Sequence, residues 1–528
     1  MDRTTGVSDL ESFVQSMNER ITSLALTLGS WVQAEPRTLQ EQEEQVVQQL
    51  HLLGSALLSG LLALAPQPTA QTLTCSCGAQ ASYRRHRTAT VTTLLGRITY
   101  TRATYFCAAC HQGHAPLDQQ LHVAAGSISL GLQEVLSLLG ATQASFPHAA
   151  AVLERLCLVQ ICPTTVRTVT EDLGSLLVRQ TQQTATLAQQ QDILPAAKPD
   201  VPRRLYVSMD GVVVHCRRSG WREIKTGCVY TTRALRARRH PPPHTLRMEH
   251  PSYGAALAEA ESFGWQLYAE AARRGVLQAE EVIVIGDGAH WIWNLAELHF
   301  PGATQIVDWY HASQYLWNAG TAIHGDGTEA RAEWVRQHLD GLWDGRLDEV
   351  LLALEAHAKL GGAVDEALSY YTSHRTRMDY PSYRARDLQI GSGTIESCCK
   401  HLISARLKQA GMIWSEAGAN AVSAVRAWLK SGRWDEALAL RPVPRRRKRR
   451  EQVSETPSAG EAAPQERQVG VPISEVAPAR LPAEVLVRVQ SELAQERASH
   501  PWRKAWSIRQ QRAQPAVQMR EDSTTLTL

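Results

Sequence analysis

The first 70 residues predict helices, because apolar residues recur there at helical spacing. Leu24, Leu26 and Leu28 lead to Trp31, and the run EEQVVQQLHLLGSALLSGLLALA then repeats apolar residues at i, i+3, i+4 and i+7 before Pro66. This period marks one face of an α-helix, and proline is a common residue just after a helix end.

From Thr72 to about Leu121 the pattern changes to the alternation of β-strands. In TATVTTLLGRITYTRATYFC, β-branched and aromatic residues stand on both sides of a turn near Gly96. The segment therefore predicts a β-hairpin.

Residues 126–195 again show the apolar periodicity of helices. The run FPHAAAVLERLCLVQICPTTVRTVTEDLG holds two short apolar-periodic segments separated by a turn, with Pro163 at a first helical position. The pattern is compatible with a helix-turn-helix. The proline-containing stretch from Ile193 to Arg204 predicts a linker.

Strand signals follow the linker. LYVSMDGVVVHC and REIKTGCVYTT are rich in β-branched residues, a helix is expected from Tyr253 to Arg273, EVIVIGDG ends at Asp287, and TQIVDWYH ends near Asp308. Strands alternating with helices in this way favour a mixed α/β sheet.

Amphipathic helices are predicted between Ala312 and about Met378, followed by an extended DYPSYRARDLQIGSG and a helix, TIESCCKHLISARLKQAG, capped by Gly411. Beyond residue 436 a basic run, Arg445–Arg450, leads into an Ala-, Glu-, Pro- and Gln-rich stretch without periodicity, which predicts a disordered tail.

The overall charge and the cysteine content bear on the possible partners and the cellular compartment of the protein rather than on its activity. The 528 residues include 55 Lys and Arg against 52 Asp and Glu, so an anionic partner can be inferred only from local patches. We expect no signal peptide and no membrane helix, and ten cysteines without a secretion signal favour reduced thiols in the cytoplasm.

Three acidic residues stand at places where chemistry is expected. VSMDG and VIGDG deliver Asp210 and Asp287 from the ends of apolar strands, and Glu396 begins a helix after a flexible GSG. Each alone is explained by an Asp-Gly turn or by a helix N-terminus. Together they are hard oxygen donors suited to Mg²⁺ or Mn²⁺, and such sites can hold two ions about 3.5–4 Å apart for phosphodiester chemistry.

The motifs VSMDGVVV, VIGDGAHWIWN, VDWYHASQYLW and IGSGTIESCCKHLISARLKQAGMIW resemble, from about Leu73 to Glu436, the ISKra-type bacterial insertion-sequence transposases, relatives of the Mutator-like elements. This resemblance implies an RNase H-like core with Asp210, Asp287 and Glu396 as a DDE catalytic triad. It further implies Mg²⁺ or Mn²⁺ as cofactor, double-stranded DNA (transposon ends and target) as partner, a homo-oligomer in the synaptic complex, and a nucleoid-associated location in the bacterial cytoplasm.

The segment Asp308-Trp309-Tyr310-His311 resembles the acid-x-x-His element of the same family. Without the resemblance, an N-cap role for Asp308 and a buried, hydrogen-bonded ring for His311 are the better interpretations. With it, both are expected to support the active site, where a histidine donates to a phosphate oxygen or shuttles a proton.

Four cysteines bracket the predicted hairpin. Cys75 and Cys77 form a CxC pair, and Cys107 and Cys110 form a CxxC pair. Two close pairs joined by a hairpin predict a tetrahedral structural Zn²⁺ site, and the alternative is a set of reduced thiols in a small β core. A histidine could replace one cysteine: His86, His111 or His114.

The predicted fold class is α/β: an RNase H-like mixed-sheet core with a helical insertion, preceded by a helical N-terminus, a zinc-ribbon-like module and a helical domain. The predicted boundaries are 1–70 (helical), 71–125 (zinc-ribbon-like), 126–195 (helical), 203–311 (core, first part), 312–390 (helical insertion), 391–436 (core, last part) and 437–528 (tail).

Several basic residues are candidate DNA contacts. The alternative interpretation of each is an ordinary charged residue on the solvent-exposed surface. They are Arg84, Arg85, Arg87, Arg167, Arg233–Arg239, Lys400, Arg406, Lys408 and Arg445–Arg450. The competing functions are a zinc-containing DNA-binding regulator with an inactive sheet domain, and a structure-specific nuclease on the same fold.

Overall fold

The structure is a computed structural model, and it describes residues 3–190, 202–234 and 246–442. Residues 443–528 of the predicted tail, residues 193–201 of the predicted linker and residues 235–239 of the run Arg233–Arg239 lie outside the described residues. The predicted start of the tail at residue 437 falls inside a helix, Trp434–Ala439.

Strands form two sheets, and their bounds are β1 Thr72–Thr74, β2 Gln80–Thr93, β3 Gly96–Cys107, β4 Gln112–His114, β5 Arg204–Cys216, β6 Gly220–Ala234, β7 Leu246–Ala256, β8 Glu281–Gly286 and β9 Thr304–Val307. The helices are α1 Arg3–Ala34, α2 Leu39–Ala63, α3 Pro116–Gln120, α4 Leu130–Thr142, α5 Phe146–Cys157, α6 Pro163–Gln190, α7 Ala260–Arg273, α8 His290–His299, α9 Trp309–His324, α10 Glu329–Trp343, α11 Leu347–Glu355, α12 Ala363–His374, α13 Tyr380–Ala385, α14 Gly393–Cys398, α15 Ala405–Leu407, α16 Glu416–Lys430 and α17 Trp434–Ala439.

The helices predicted for the N-terminal region are confirmed as the hairpin α1–α2. A capping box begins α2, since the Thr38 side chain accepts from the Glu41 backbone while Glu41 accepts from the Thr38 backbone. The two helices meet closely where a side chain at Gly60 would lie 2.2 Å from the Phe13 ring. The helix α2 is long and apolar enough to cross a membrane. Helices that pack on protein can have the same length and composition.

The predicted β-hairpin is β2–β3, in an antiparallel sheet of order β1-β2-β3-β4. The turn joins Thr93 to Gly96, which has a φ of +88°. Every second residue of each strand near the turn, including the cross-strand pair Val91 and Ile98, faces a small apolar core that Leu58 and Leu62 near the end of α2 complete. The hairpin α1–α2 is thereby anchored on this sheet.

The helical region α4–α6 confirms the predicted start at Pro163, but α6 is longer than a recognition helix needs to be. It packs on α4 and α5 and also on α7 and α16, and the contact with α16 already begins in its first half, where Gly174 lies against the backbone of Ala421. Ala185 and Ala188 near its end belong to the same apolar core as the second sheet.

The second sheet is mixed, as predicted, with the strand order β7-β6-β5-β8-β9. Strands β5, β6 and β7 pair antiparallel, whereas β5, β8 and β9 run parallel. Gly227 of β6 faces Phe263 of α7, while the adjacent Thr226 faces Cys399 beyond α14. Since neighbouring residues of a strand point to opposite faces, α7 and the segment that follows Glu396 cover opposite faces of the sheet.

Two local predictions around this sheet are wrong. The helix expected from Tyr253 begins at Ala260, because Tyr253 pairs with Cys228 in the edge strand β7. The stretch expected to be extended contains the short helix α13, which Asp379 caps through the backbone of Ser382.

The helix carrying Glu396 also departs from the prediction. It passes into a π-helical turn, Cys399–Ser404, and ends with α15, whose C-cap is Lys408 rather than the predicted Gly411. Gly411, with a φ of +75°, lies in the following loop. π-Turns widen a helix locally and occur often at functional sites.

Candidate metal centres

Strand register brings three aspartates to one level of the mixed sheet. Ser208 of β5 pairs with Ile285 of the parallel strand β8, so Asp210 and Asp287 are each two residues beyond this pair. Asp287 directly follows β8, whereas Asp210 lies in the middle of β5, which continues to Cys216, so the prediction that Asp210 ends its strand is wrong. Gly286 pairs with Val307, so Asp287 and Asp308 each follow one residue later. Carboxyl ends of parallel strands open into the same crevice, which is where α/β sheets bind ligands.

Asp308 organises the centre of this crevice. It is fully buried and caps α9, accepting from the backbone N–H of His311 at 2.9 Å and from His311 Nδ1 at 2.7 Å. Its other oxygen accepts from the backbone N–H of Ser392, just before α14. One carboxylate therefore joins the sheet, His311 and the segment that leads to Glu396.

Asp308, His311 and Glu396 form a group whose ligand atoms all lie within 4.8 Å of one another. The Glu396 side chain is exposed and accepts from Ser392 Oγ at 2.8 Å. The hydrogen bond with Asp308 raises the pKa of His311, and the charges of Asp287 and Glu396 raise it further. With Nδ1 engaged, Nε2 is the nitrogen through which the half-buried ring can act on a bound group.

Asp210 and Asp287 lie beside this group rather than inside it, so of the three acids predicted as a triad only Glu396 belongs to it. Burial raises the pKa of Asp210 above its usual range, and the nearby charge of Asp287 adds to that shift. The Cys399 thiol donates to Asp210 Oδ2 at 3.3 Å, and the backbone N–H of Gly211 donates to Oδ1. The π-turn that follows Glu396 thus touches the first strand of the sheet.

Asp287 is held by the helical insertion. Tyr370 of α12 donates its hydroxyl to the Asp287 carbonyl oxygen at 2.8 Å and stacks on Tyr315 of α9. Gly288 has a φ of +112°, and a side chain there would lie 2.5 Å from the Tyr370 ring. The close approach of α12 to this loop therefore requires glycine.

Two buried arginines fix the segment after Glu396 to the helical region. Arg426 donates to the carbonyl oxygens of His401, Leu402 and Ala141, and Arg406 donates to that of Gly140 at 3.0 Å. Both cations reach the C-terminal end of α4, where the helix dipole favours positive charge. Arg406 is only 1% exposed, so its prediction as a DNA contact is wrong.

The other basic candidates within the described residues are accessible. Arg84, Arg85, Arg87, Arg167, Lys400 and Lys408 are exposed, and Arg233 pairs with Glu249 at 2.7 Å while remaining largely exposed. The burial of Arg406 could not be predicted from the sequence, because an arginine on an amphipathic helix is expected at the surface. The structure shows instead that the rings of Phe146 and Trp414 pack on its guanidinium group.

The four predicted cysteines come together at one end of the first sheet. The Sγ atoms of Cys75 and Cys110 are 3.5 Å apart, and those of Cys77 and Cys107 are 3.7 Å apart. A tetrahedral zinc site with Zn–S bonds of about 2.3 Å requires sulfur atoms roughly 3.8 Å apart, so the four thiols fit this metal. A disulfide would need about 2.05 Å.

Turns and hydrogen bonds prepare the thiols for a cation. Gly78, with a φ of +86°, closes the first pair through its N–H to the Cys75 carbonyl. The backbone N–H of Cys77 lowers the pKa of Cys75 to about 6. A thiolate is the form that binds metal, so this shift prepares Cys75 as a ligand, whereas burial and the hydrogen bond with Cys75 raise the pKa of Cys110.

Of the three histidines predicted as substitute ligands, only His114 meets a cysteine. Its Nε2 lies 3.1 Å from Cys75 Sγ, at the end of β4. His86 pairs with Tyr83 through Nδ1, and the His111 ring packs near Phe106. The group of potential ligands consists of the four cysteines, which makes His114 a neighbour that orients Cys75.

Comparison with known proteins gives a family but no activity. A search of curated proteins found no match to the chain. A family model described as an uncharacterised protein family, UPF0236, matches residues 33–438, a range that contains both candidate metal centres. The chain belongs to the UPF0236 family.

Proposed function

We propose that this protein is a DDE transposase, an enzyme that cuts and joins DNA by metal-dependent phosphoryl transfer on an RNase H-like core. The observation that carries the proposal is the strand register, which brings Asp210 of β5, Asp287 directly after β8 and Asp308 directly after β9 to one level of the sheet, with Asp308 close to Glu396. The order of elements supports it: a strand with an acid, two strands, a helix, a second strand followed by an acid, a helix, a strand, a helical insertion and a helix with Glu396.

The donor set fits hard divalent cations. Asp210, Asp287 and Glu396 supply carboxylate oxygens, which suit Mg²⁺ or Mn²⁺ and leave positions for water and phosphate oxygens. When bound, such cations activate the attacking oxygen and stabilise the leaving oxygen of a phosphodiester. The partial burial of Asp210 and Asp287 strengthens their interaction with a cation, since the local dielectric is lower than that of water.

His311 and Asp308 have separate tasks in this scheme. His311 directs Nε2 toward the crevice, where it donates to a phosphate oxygen or carries a proton. Asp308 acts through His311 and Ser392, because its oxygens are already engaged by three donors. It is a positioning residue, and this explains why both the N-cap interpretation and the active-site interpretation of the sequence apply to it.

The Cys75–Cys110 module supplies the second function that a transposase needs, which is attachment to DNA. The long β2 strand carries the exposed Arg84, Arg85 and Arg87 next to the thiol cluster. We assign structural Zn²⁺ to the four cysteines, since closed four-thiolate sites are typical of zinc. The arginines would neutralise phosphates on double-stranded DNA, so binding should weaken as salt rises.

Incubation of the full chain with Mg²⁺ and a labelled duplex carrying the flanks of its own gene tests the proposal. We expect cleavage near the flanks and joining of the freed 3′-hydroxyl to a second duplex, and Asp287→Asn should abolish both while DNA binding persists. Asp340→Asn on the exposed surface of α10 is the matched control and should retain both reactions.

Each other outcome of this assay points to a different protein. Cleavage without joined products would indicate a structure-specific nuclease. DNA binding without any cleavage, in wild type and Asp287→Asn alike, would indicate a zinc-containing regulator whose sheet domain is inactive. Cleavage that survives in Asp287→Asn would remove this residue from the active site.

A further inference from the structure

The hairpin α1–α2 exposes an unusually large apolar surface. Of the 23 large apolar side chains that are exposed among the described residues, twelve lie on these two helices. They are Leu10, Val14, Ile21, Leu26, Val32, Leu39, Val46, Val47, Leu50, Leu52, Leu57 and Leu61. Soluble proteins rarely leave a large contiguous apolar patch uncovered, so those of the twelve side chains that share one face of the hairpin require an explanation.

The exposed residues follow coiled-coil spacing. Leu10, Val14 and Ile21 on α1 are separated by steps of four and seven, as are Leu50, Leu57 and Leu61 on α2 in the order seven and four. Such steps place side chains on one stripe of a helix that packs on another helix. The stripe is distinct from the line, through Met17, that seals α1 against α2.

Both stripes lie on the same side of the hairpin. At about 100° per residue, each stripe is turned by roughly 60–80° from the line that contacts the partner helix, and the turn has the same sense when each helix is viewed along its own chain direction. The helices are antiparallel, because Phe13 near the start of α1 meets Gly60 near the end of α2. Equal turns on antiparallel helices point to one side, so the stripes form a continuous face.

The charge of the hairpin disfavours DNA and anionic lipid as the cover for this face. Residues 3–63 contain seven acidic residues and three arginines, and α2 carries no charged residue after Glu44. A membrane span is disfavoured as well, since Leu58 and Leu62 of α2 pack into the core of the first sheet. Glu43, seven residues before Leu50, lies at the start of the α2 stripe, and the stripe is uncharged from there to Leu61. A largely uncharged face with heptad spacing is matched by a face of the same kind.

We propose that the apolar face of α1–α2 binds the same face of a second copy of this chain, which forms an antiparallel four-helix bundle about a two-fold axis. At 1.5 Å per residue α2 is about 37 Å long, and two helices each about 10 Å across present roughly 750 Å² per copy. That area matches the ~800 Å² per partner of stable protein interfaces. The proposal does not depend on the reaction assigned to the acidic crevice.

Sedimentation of the full chain at micromolar concentration tests this contact. We expect a dimer for the wild type and a monomer for the double variant Leu50→Glu with Leu57→Glu, with a rise of at least about tenfold in the dimer dissociation constant, because four like charges would be buried at the axis. Leu352→Glu on α11, 65% exposed in the structure, is the matched control and should remain a dimer.

Circular dichroism shows whether the double variant keeps its helices, and a single substitution, Leu50→Gln, gives a milder version of the same test. A dimer that persists in the folded double variant would overturn the proposal. So would a monomeric wild type, in which case flotation with phosphatidylcholine vesicles separates a lipid-covered face from one covered by residues 443–528. The variant Asp287→Asn should still dimerise, which keeps this result separate from that of the catalytic assay.

Discussion

The two candidate metal centres are built in opposite ways. The thiol site uses residues from a single stretch, Cys75 to Cys110, and one hairpin with two tight turns brings its ligands together. The acidic crevice draws Asp210, Asp287 and Glu396 from distant segments, and only the strand register and the contacts of Asp308 bring them near one another. The first site is a local property of the chain, and the second is a property of the whole fold.

This difference predicts different consequences of mutation. If the thiol site holds zinc as proposed, each of its four cysteines is a ligand, so loss of one should release the metal and unfold the structure that depends on it. In the acidic crevice the supporting residues outnumber the ligands, so their loss should weaken the reaction in steps.

The largest expected effect is that of Cys107→Ser, at a fully buried ligand position. Structural zinc contributes apparent binding energies of about 10–16 kcal/mol in small modules, so we expect zinc to be lost and the first sheet to unfold locally. Metal analysis by mass spectrometry and protease sensitivity between residues 70 and 125 measure both. Cys157→Ser, outside the cluster, should keep its zinc, and full zinc content in Cys107→Ser would contradict the assigned ligand set.

A smaller effect is expected for Asp308→Asn, which keeps the shape of the side chain while removing the charge beside His311. We expect a loss of about 10–100-fold in cleavage rate, the range seen when a group that orients a metal-site residue is removed. The pH profile should also shift to lower pH, because the Asp308 hydrogen bond raises the pKa of His311. A change in overall stability with an unchanged pH profile would show that Asp308 is only a helix cap.

The smallest effect is expected for Tyr370→Phe, which removes one hydrogen bond to the Asp287 carbonyl and leaves the ring in place. The net worth of such a bond is about 0.5–1.5 kcal/mol, so the cleavage rate should fall by less than roughly tenfold. Titration of the rate with Mg²⁺ should show a higher half-saturating concentration. Tyr383→Phe, whose hydroxyl reaches the Gln305 carbonyl, is the control, and equal losses in both would argue against a role at Asp287.

The same contrast between local and long-range features explains which parts of the structure could be predicted from the sequence. The cysteine pairs, the hairpin between them and the apolar strands that end in Asp287 and Asp308 are local patterns, and the structure has each of them. The end of strand β7 from Tyr253 to Ala256 is wrongly predicted as helix, because the alanine-rich run that begins at Gly254 favours helix by composition, whereas pairing with β6 decides the outcome.

Long-range packing accounts for the other misses. The π-turn after Glu396, the burial of Arg406 and the hold of Tyr370 on Asp287 all depend on contacts between segments far apart in the chain. Asp308 illustrates the limit well. Its N-cap role can be inferred from the sequence, whereas its bond to Ser392 requires the position of the loop before α14.

Direct titration with Mn²⁺, followed by the electron paramagnetic resonance signal of the free ion, tests the central claim that the aligned acids form a divalent-cation site. We predict that wild-type protein binds Mn²⁺, that Asp210→Asn and Asp287→Asn each lower the affinity by about tenfold or more, and that Asp340→Asn does not. Equal Mn²⁺ binding by all four proteins would contradict the account.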